Sequence, residues 1–372
     1  MKTLDTSLFE KLVSEEAPLC ITIYLPVGRE VSNVNSNILR FKNLIKEIKN
    51  KLSPDQLTDN LIPLLDKHTQ DNSIFKGHSG CIGFFLSSNE TFEIVYLPAC
   101  NDAFYQLDTV FYIVPLIDLL PKLETFRILS LGRNVVKMYQ GNFYEIKELM
   151  LPSEIPTTMQ DALGTDLTDN HLHAAAGGSA TLHGYMEITD EKDTDNERFF
   201  RIIDQAIYEH YSKSDNIPLY VATISENQHL FKKISKNPKL QDTFIDLSTA
   251  TASTNALHQT VQEIIMKKRE AEVIQLIELF KNAKIENLAT DQLREVAQHV
   301  MDARVEHLLL VKGRKIYGNI FVEDRTVKLN PKSNVDLLNR LALIAYKTAA
   351  KIHLIHPESL LLVEGAGSIN RY

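Results

Sequence analysis

Apolar positions along the chain switch repeatedly between helical and strand spacing. Residues 5–14 read as a short helix, and "LCITIYLP" (19–26) is a continuous apolar, β-branched run, expected of a strand that Pro26 stops. In "NSNILRFKNLIKEIKNKL" (35–52), Ile38, Phe41, Leu44, Ile45 and Ile48 recur at helical spacing with lysines opposite. "SPDQLTDNLIPLLDKH" opens a further helix, with Ser53 as N-cap and Pro54 at its first position. "GCIGFFLSS" and "TFEIVYLPA" around Asn89-Glu90 predict a hairpin, and "FYIVPLIDLLPKL" (111–123) a short apolar helix.

From residue 126 the pattern becomes a meander, "FRILSLGRNVVKMYQGNFYEI", with turns at Gly132-Arg133-Asn134 and Gly141. A polar stretch without period runs from about 152 to 196. Asp195 then stands as N-cap of a helix whose apolar face is Phe199, Ile202, Ile203, Ala206 and Ile207. Asp193, Asp195 and Glu197 suit the positive end of its dipole. "IPLYVATI" (217–224) predicts a strand buried on both faces, and helices are expected in 226–236 and 255–283. A helix at 291–302, a strand at 304–312, a turn at Gly313, "KIYGNIFV", a helix at 334–350 and a strand at 351–357 complete the chain. The pattern predicts an α/β (α+β) multidomain protein, with an α/β first domain and, from the strands alternating with helices in the last part, a three-layer α/β/α sandwich there. The pattern places cuts at 1–124, 125–265 and 266–372.

Composition narrows the class. With 44% apolar and 24% charged residues in 372, the chain is that of a globular protein. No apolar run approaches the ~18 residues that span a bilayer, so no membrane partner is expected. The first twenty residues carry acids where a secretory signal would be apolar. Cys20, Cys81 and Cys100 form neither a disulfide framework nor a CxxC pair, and Cys20 and Cys81 sit in apolar runs as small hydrophobes. A reduced, cytoplasmic setting is the expectation that follows. The net charge of −8 is uneven, at −5, −7 and +4 for the three segments. The basic groups are Lys267, Lys268 and Arg269, then Lys312, Arg314 and Lys315; either is a solvated surface or a contact for a polyanion.

Candidate chemistry centres on "DNHLHAAAGGSATLHGYME" (169–187). His171, His173 and His183 with Asp166, Asp169 or Glu187 could ligate a metal, but their spacing matches no zinc pattern and no rigid element frames them. Ser179 lies in "AAGGSAT", which is not the G-x-S-x-G of a nucleophile elbow. No phosphate-loop motif occurs, and the Gly-x-Gly of "EGAGSI" stands at the wrong end for a dinucleotide fingerprint. No catalytic residue, metal or cofactor is therefore assigned. The acidic "TDEKDTDNE" reads as a solvated loop, and His353 and His356 as structural or surface residues. A polar stretch this long inside a compact domain is functional or disordered.

Three segments, taken in order, carry a resemblance. "ITIYLPVGRE…ILRFKNLIKEIKNKL", then "FRILSLGRNVVKMYQG" with a Gly/His loop and "ERFFRIIDQAI", then "NVDLLNRLALIAYKTAAKIHLIHPE" with a terminal "INRY" resemble the bacterial relatives of archaeo-eukaryotic release factors. The resemblance implies a three-domain relative of class-1 release factors and Pelota. It further implies a ribonuclease-H-like middle domain and a last domain like the kink-turn-binding ribosomal proteins. In release factors the corresponding loop carries Gly-Gly-Gln, which positions water for ester hydrolysis. Here the matching place reads Gly177-Gly178-Ser179, so the resemblance implies a ribosome-associated factor that does not hydrolyse by that route. Its loop residues (His171, His173, Gly177, Gly178, Ser179, His183 and Gly184) would touch ribosomal RNA or the tRNA region, in rescue or hibernation. The partners implied are the ribosome and a translational GTPase. A metal-assisted hydrolase of nucleic acid esters using the His loop, and an interaction module without ribosome contact, stay open as alternatives.

Overall fold

A computed structural model describes residues 2–28, 31–53, 61–70, 72–76, 79–100, 102–164, 183–247, 253–322, 324–360 and 362–372. It is a mixed α/β protein with several sheets, in two compact units: residues 1–123 with 271–372, and residues 124–270.

The first unit opens with β1 (Lys2–Thr3) and α1 (Thr6–Ser14). The helix starts at Asp5, whose carboxylate accepts from Leu8 N at 2.7 Å, and it buries Leu8, Phe9, Leu12 and Val13. The twelve-residue β2 (Glu16–Val27) is central to a sheet with β3 (Gly80–Ser87), β4 (Phe92–Leu97) and β5 (Phe104–Val110), ordered β1-β4-β3-β2-β5. Pro26 does not stop β2, which pairs with β3 through Val27. Pairing with β5 ends at Tyr24, so the ring of Pro26 sits where no second neighbour needs its missing N–H. The β3–β4 hairpin forms as expected, with Glu90 at φ 65°.

Helix α2 (Val31–Lys51) lays Ile38, Phe41, Leu44, Ile45 and Ile48 on that sheet, as its period predicts. Phe41 stacks on Phe84 at 4.5 Å between ring centroids. The Ser53-Pro54 start of the next helix lies outside the described residues at 54–60; its body is α3 (Leu61–Gln70). The predicted helix at 111–123 is shorter, α4 (Val114–Leu119) with Pro115 in its first turn, then one 3-10 turn.

The cysteine reading needs correcting. Cys81 and Cys100 form a disulfide that ties β3 to the segment after β4, and Cys20 is free and buried. Two strands brought side by side by a hairpin put these distant positions together, which spacing alone does not reveal. A reduced setting therefore does not follow from the cysteines.

The rest of the first unit is a four-stranded sheet of β11 (Ala289–Thr290), β12 (Val305–Val311), β15 (Lys351–Ile355) and β16 (Ala366–Asn370), ordered β11-β16-β12-β15. Between β12 and β15 the chain forms a separate ribbon, β13 (Gly318–Phe321) with β14 (Thr326–Leu329). The tail around "EGAGSI" is thus a buried strand. A side chain at Gly367 would meet the Phe280 ring at 3.0 Å. Helices α9 (Leu293–Met301) and α10 (Leu337–Lys347) cover one face.

The second unit has one sheet of β6 (Phe126–Leu131), β7 (Val136–Gly141), β8 (Ile146–Leu149), β9 (Leu219–Thr223) and β10 (Ile245–Asp246), ordered β10-β9-β6-β7-β8. β6, β7 and β8 are the expected antiparallel meander, while β9 and β10 run parallel to β6. Helices α6 (His183–Ile207) and α7 (Ser225–Ile234) pack on one face, and the start of α8 (Thr254–Ile285) on the other.

The polar stretch from 152 to 196 is not without structure. Its first part holds α5 (Met159–Leu163), capped by Thr158, and its last part belongs to α6. Asp195 is consequently no N-cap; it lies inside α6 and is buried. The apolar face of α6 also differs by one residue, since Phe200 is fully buried and Ile202 is 37% exposed. Adjacent aromatics at 199 and 200 widen the buried stripe beyond strict i, i+4 spacing.

Phe111 to Ile113, between β5 and α4, are buried yet outside any ladder. Asn339 of α10 donates to Phe111 O at 3.0 Å and accepts from Ile113 N at 2.8 Å. Replacing Asn339 with alanine leaves both groups buried without a partner, a loss of about 2–3 kcal/mol. Thermal denaturation should show a midpoint lowered by roughly 4–12 °C. An unchanged midpoint would show that the two groups are satisfied in another way.

Candidate nucleic-acid interface

The loop residues His171, His173, Gly177, Gly178 and Ser179 lie outside the described residues, as does the metal set built on them. His183 and Gly184 begin α6. Among the described residues no cluster of three or more His, Cys, Asp or Glu could hold a metal ion. No described helix is long and apolar enough to cross a membrane.

The basic residues fall in both units. Lys267 and Lys268 are exposed and Arg269 half-buried on α8, in the second unit. Three consecutive helical residues are each turned about 100° from the last, so they splay around the helix instead of forming a flat patch. Lys312, Arg314 and Lys315 lie in the first unit, in the turn that Gly313 makes at φ 77° after β12.

These three do not act alike. Lys312 is paired with Asp118 at 2.8 Å, and Lys122 reaches the same carboxylate at 2.9 Å. Burial pushes the Asp118 carboxyl up, but the two ammonium groups outweigh it and hold it below the usual aspartate range. Arg314 is exposed. Lys315, also exposed, lies against two rings, its ammonium 4.4 Å from the Phe104 ring centroid and 5.0 Å from that of Tyr112. Loss of hydration pulls its pKa below the ordinary lysine value, partly offset by Asp336.

Lys315 borders a cleft of about 260 Å³ that sequence reasoning missed. Lys51 from the end of α2, Tyr105 of β5, Tyr317, and Lys332 in the turn before α10 also line it. Lys51 lies 5.1 Å from the Tyr105 ring centroid. Only "VKGRK" gave a signal in the chain; residues 51, 105 and 332 are far apart in sequence and each alone is unremarkable. A second depression, of about 610 Å³, lies in the other unit, where Arg198 and Arg201 of α6 face it beside Ala162 and Leu163. Arg201 is bonded to Glu197 at 2.6 Å, one turn earlier.

His353 has a partner rather than a ligand role. Its Nε2 lies 3.0 Å from His307 Nδ1 across the parallel β12–β15 pair, with one ring donating to the other. His356, beyond the strand, is exposed.

Residues 125–304 match the family model described as bacterial archaeo-eukaryotic release factor family 3. Over these residues, just under half of the chain, the sequence is similar to that family. No curated protein matches the chain. Solved structures that align with it include the archaeal translation termination factor aRF1, at 14% identity over 98% of this chain and 96% of that one, with TM-score 0.25. A model of ribosome-bound archaeal Pelota and ABCE1 aligns at 12% identity over 100% and 95%, with TM-score 0.38. Dom34 of S. cerevisiae, a translation termination-like factor, aligns at 11% over 78% and 73%, with TM-score 0.39. Scores this low carry no argument about fold, so the likeness rests on the family model over 125–304.

The histidine pair gives this chain a defined acid response. Burial, His307 and Lys351 together push His353 down to about 4, and burial also lowers His307. Between pH 6.5 and about 4 the unfolded chain therefore binds protons that the folded one refuses, and stability falls as pH drops through that window. In denaturant titrations, wild type should lose more stability from pH 7 to 4.5 than a His353→Gln variant, which has no imidazole to charge. Parallel losses would contradict the pairing.

Proposed function

We propose that the protein is a cytoplasmic, ribosome-associated factor of the release factor and Pelota type that does not hydrolyse peptidyl-tRNA. Its setting is the rescue of stalled ribosomes or the protection of idle ones. The observation that carries this reading is the family match over 125–304, whose span includes Gly177-Gly178-Ser179 where release factors have Gly-Gly-Gln. Serine lacks the carboxamide that would orient a water molecule, so contact is retained and chemistry is not.

In this reading the chain has three domains, 1–124, 125–265 and 266–372. The middle one is ribonuclease-H-like, which the mixed sheet with its antiparallel meander supports. The last one resembles the kink-turn-binding ribosomal proteins, and its surplus of basic residues suits RNA or a translational GTPase. His171, His173, His183, Gly184 and the two glycines approach the tRNA-binding region of the A site. Imidazoles and backbone amides there would contact phosphate without reading sequence. Lys267, Lys268, Arg269 and Arg314 add charge around it. The middle segment's net −7 opposes RNA, so binding should be modest and salt-sensitive.

Sedimentation through a density gradient with purified ribosomes tests this. The protein should co-migrate at low salt, less so at moderate salt, and less again when 171–184 is replaced by a Gly/Ser linker. Ribosomes carrying peptidyl-tRNA should release no peptide. Absence of co-migration at low salt, with both empty and stalled ribosomes, would refute the reading.

A further inference from the structure

Most lysines of the first unit with a described contact are neutralised by a carboxylate. Lys2 and Lys11 share Glu93, Lys49 holds Asp66, Lys122 and Lys312 share Asp118, and Lys284 holds Asp291. The cleft between β5 and the turn before α10 is different. Lys51, Lys315 and Lys332 line it, and none of its lining residues is acidic. Among the described residues no carboxylate comes within ion-pair distance of these three ammonium groups.

Two of the three are nevertheless held in place. Lys51 rests on Tyr105, and Lys315 on Phe104 and Tyr112. An aromatic face orients an ammonium group without cancelling its charge. The positions of Lys51 and Lys315 are thus set while positive potential, reduced at Lys315 by the nearby Asp336, stays available in the cleft. Lys315 is also partly stripped of water, a cost that an arriving anion would relieve. The geometry of the wall is set from beneath. Gln106 of β5 bonds Asn334 O, and Asp336 accepts from Ile316 N at 3.3 Å and Leu338 N at 3.0 Å, fixing the turn that carries Lys332.

We propose that this cleft is a binding site for a phosphate-bearing ligand, with Lys51, Lys315 and Lys332 around the anion and Tyr317 beside its organic part. Three lysines along one cleft suit the charge and spread of a phosphate better than a single carboxylate. Tyr317 is 38% exposed at the cleft, so its ring can take a sugar or base by stacking. A volume of about 260 Å³ admits roughly one nucleotide, near the low end of the ~300–1,000 Å³ of small-molecule sites. The phosphate can come from a free nucleotide or from one residue of an RNA strand. The site belongs to the first unit alone and does not depend on the ribosomal reading.

Calorimetric titration of the full chain at low salt, without ribosomes, tests the assignment. The probes are inorganic pyrophosphate, AMP and a uridine hexamer with a 5′-hydroxyl end. At least one should bind, and a Lys51→Ala/Lys332→Ala double variant should bind it about tenfold or more weakly. Both lysines are exposed, so this variant should keep the wild-type melting midpoint. Lys49→Ala, on the same helix but already paired with Asp66, should bind as wild type. Binding of pyrophosphate or AMP without the hexamer assigns the site to a free ligand; binding of the hexamer assigns it to an RNA strand. If no probe binds, or the double variant binds as well as wild type, or Lys49→Ala loses as much, the proposal is wrong.

Discussion

Three buried residues outside any ladder, Phe111 to Ile113, impose the constraint on which the first unit depends. Backbone polar groups there are out of reach of water and of a neighbouring strand, so side chains must satisfy them. Three do so, with four hydrogen bonds from two directions. Thr22 Oγ1 accepts from Tyr112 N at 3.0 Å, and Tyr24 donates to Tyr112 O at 2.8 Å, both from β2. Asn339 takes Phe111 O and Ile113 N from α10. One short stretch therefore locks the end of the first sheet to a helix more than 200 residues later. Arg340, the next residue, adds a charged tie to Asp108 and Thr109.

The same junction decides where positive charge is available. Tyr112, pinned by its backbone, offers its ring to Lys315, and Phe104 meets that ring edge to face at 5.5 Å between ring centroids. Lys312, three residues earlier, is instead drawn to Asp118. Two lysines of one basic pentapeptide thus end in opposite electrostatic states. Sequence charge counts them equally, whereas the fold neutralises one and leaves the other exposed to an anion.

Elements with strong periodicity were legible: α2 with its five buried apolar positions, the β3–β4 hairpin and the β6–β7–β8 meander. β5 and β16 were not, because "FYQLDTV" and "AGSIN" are buried by neighbours rather than by their own apolarity. The early start of α6 was hidden by polar and acidic residues that sequence assigns to a loop. The Cys81–Cys100 link and the lysine cleft escaped for one reason, since both join positions that only the folded sheets bring together. The likeness to release-factor relatives was legible in three ordered segments, of which the family model covers the middle region and reaches into the last.

The functional account turns on reading Gly177-Gly178-Ser179 in the place of a release factor's Gly-Gly-Gln, within a region similar to the bacterial release-factor relatives. Its central claim is occupancy of the ribosomal A site. Competition between this protein and A-site tRNA on programmed ribosomes tests it most directly. The account predicts mutual displacement, with the protein lost from ribosomes as aminoacyl-tRNA fills the site. Simultaneous binding of both, at full occupancy of each, would contradict it.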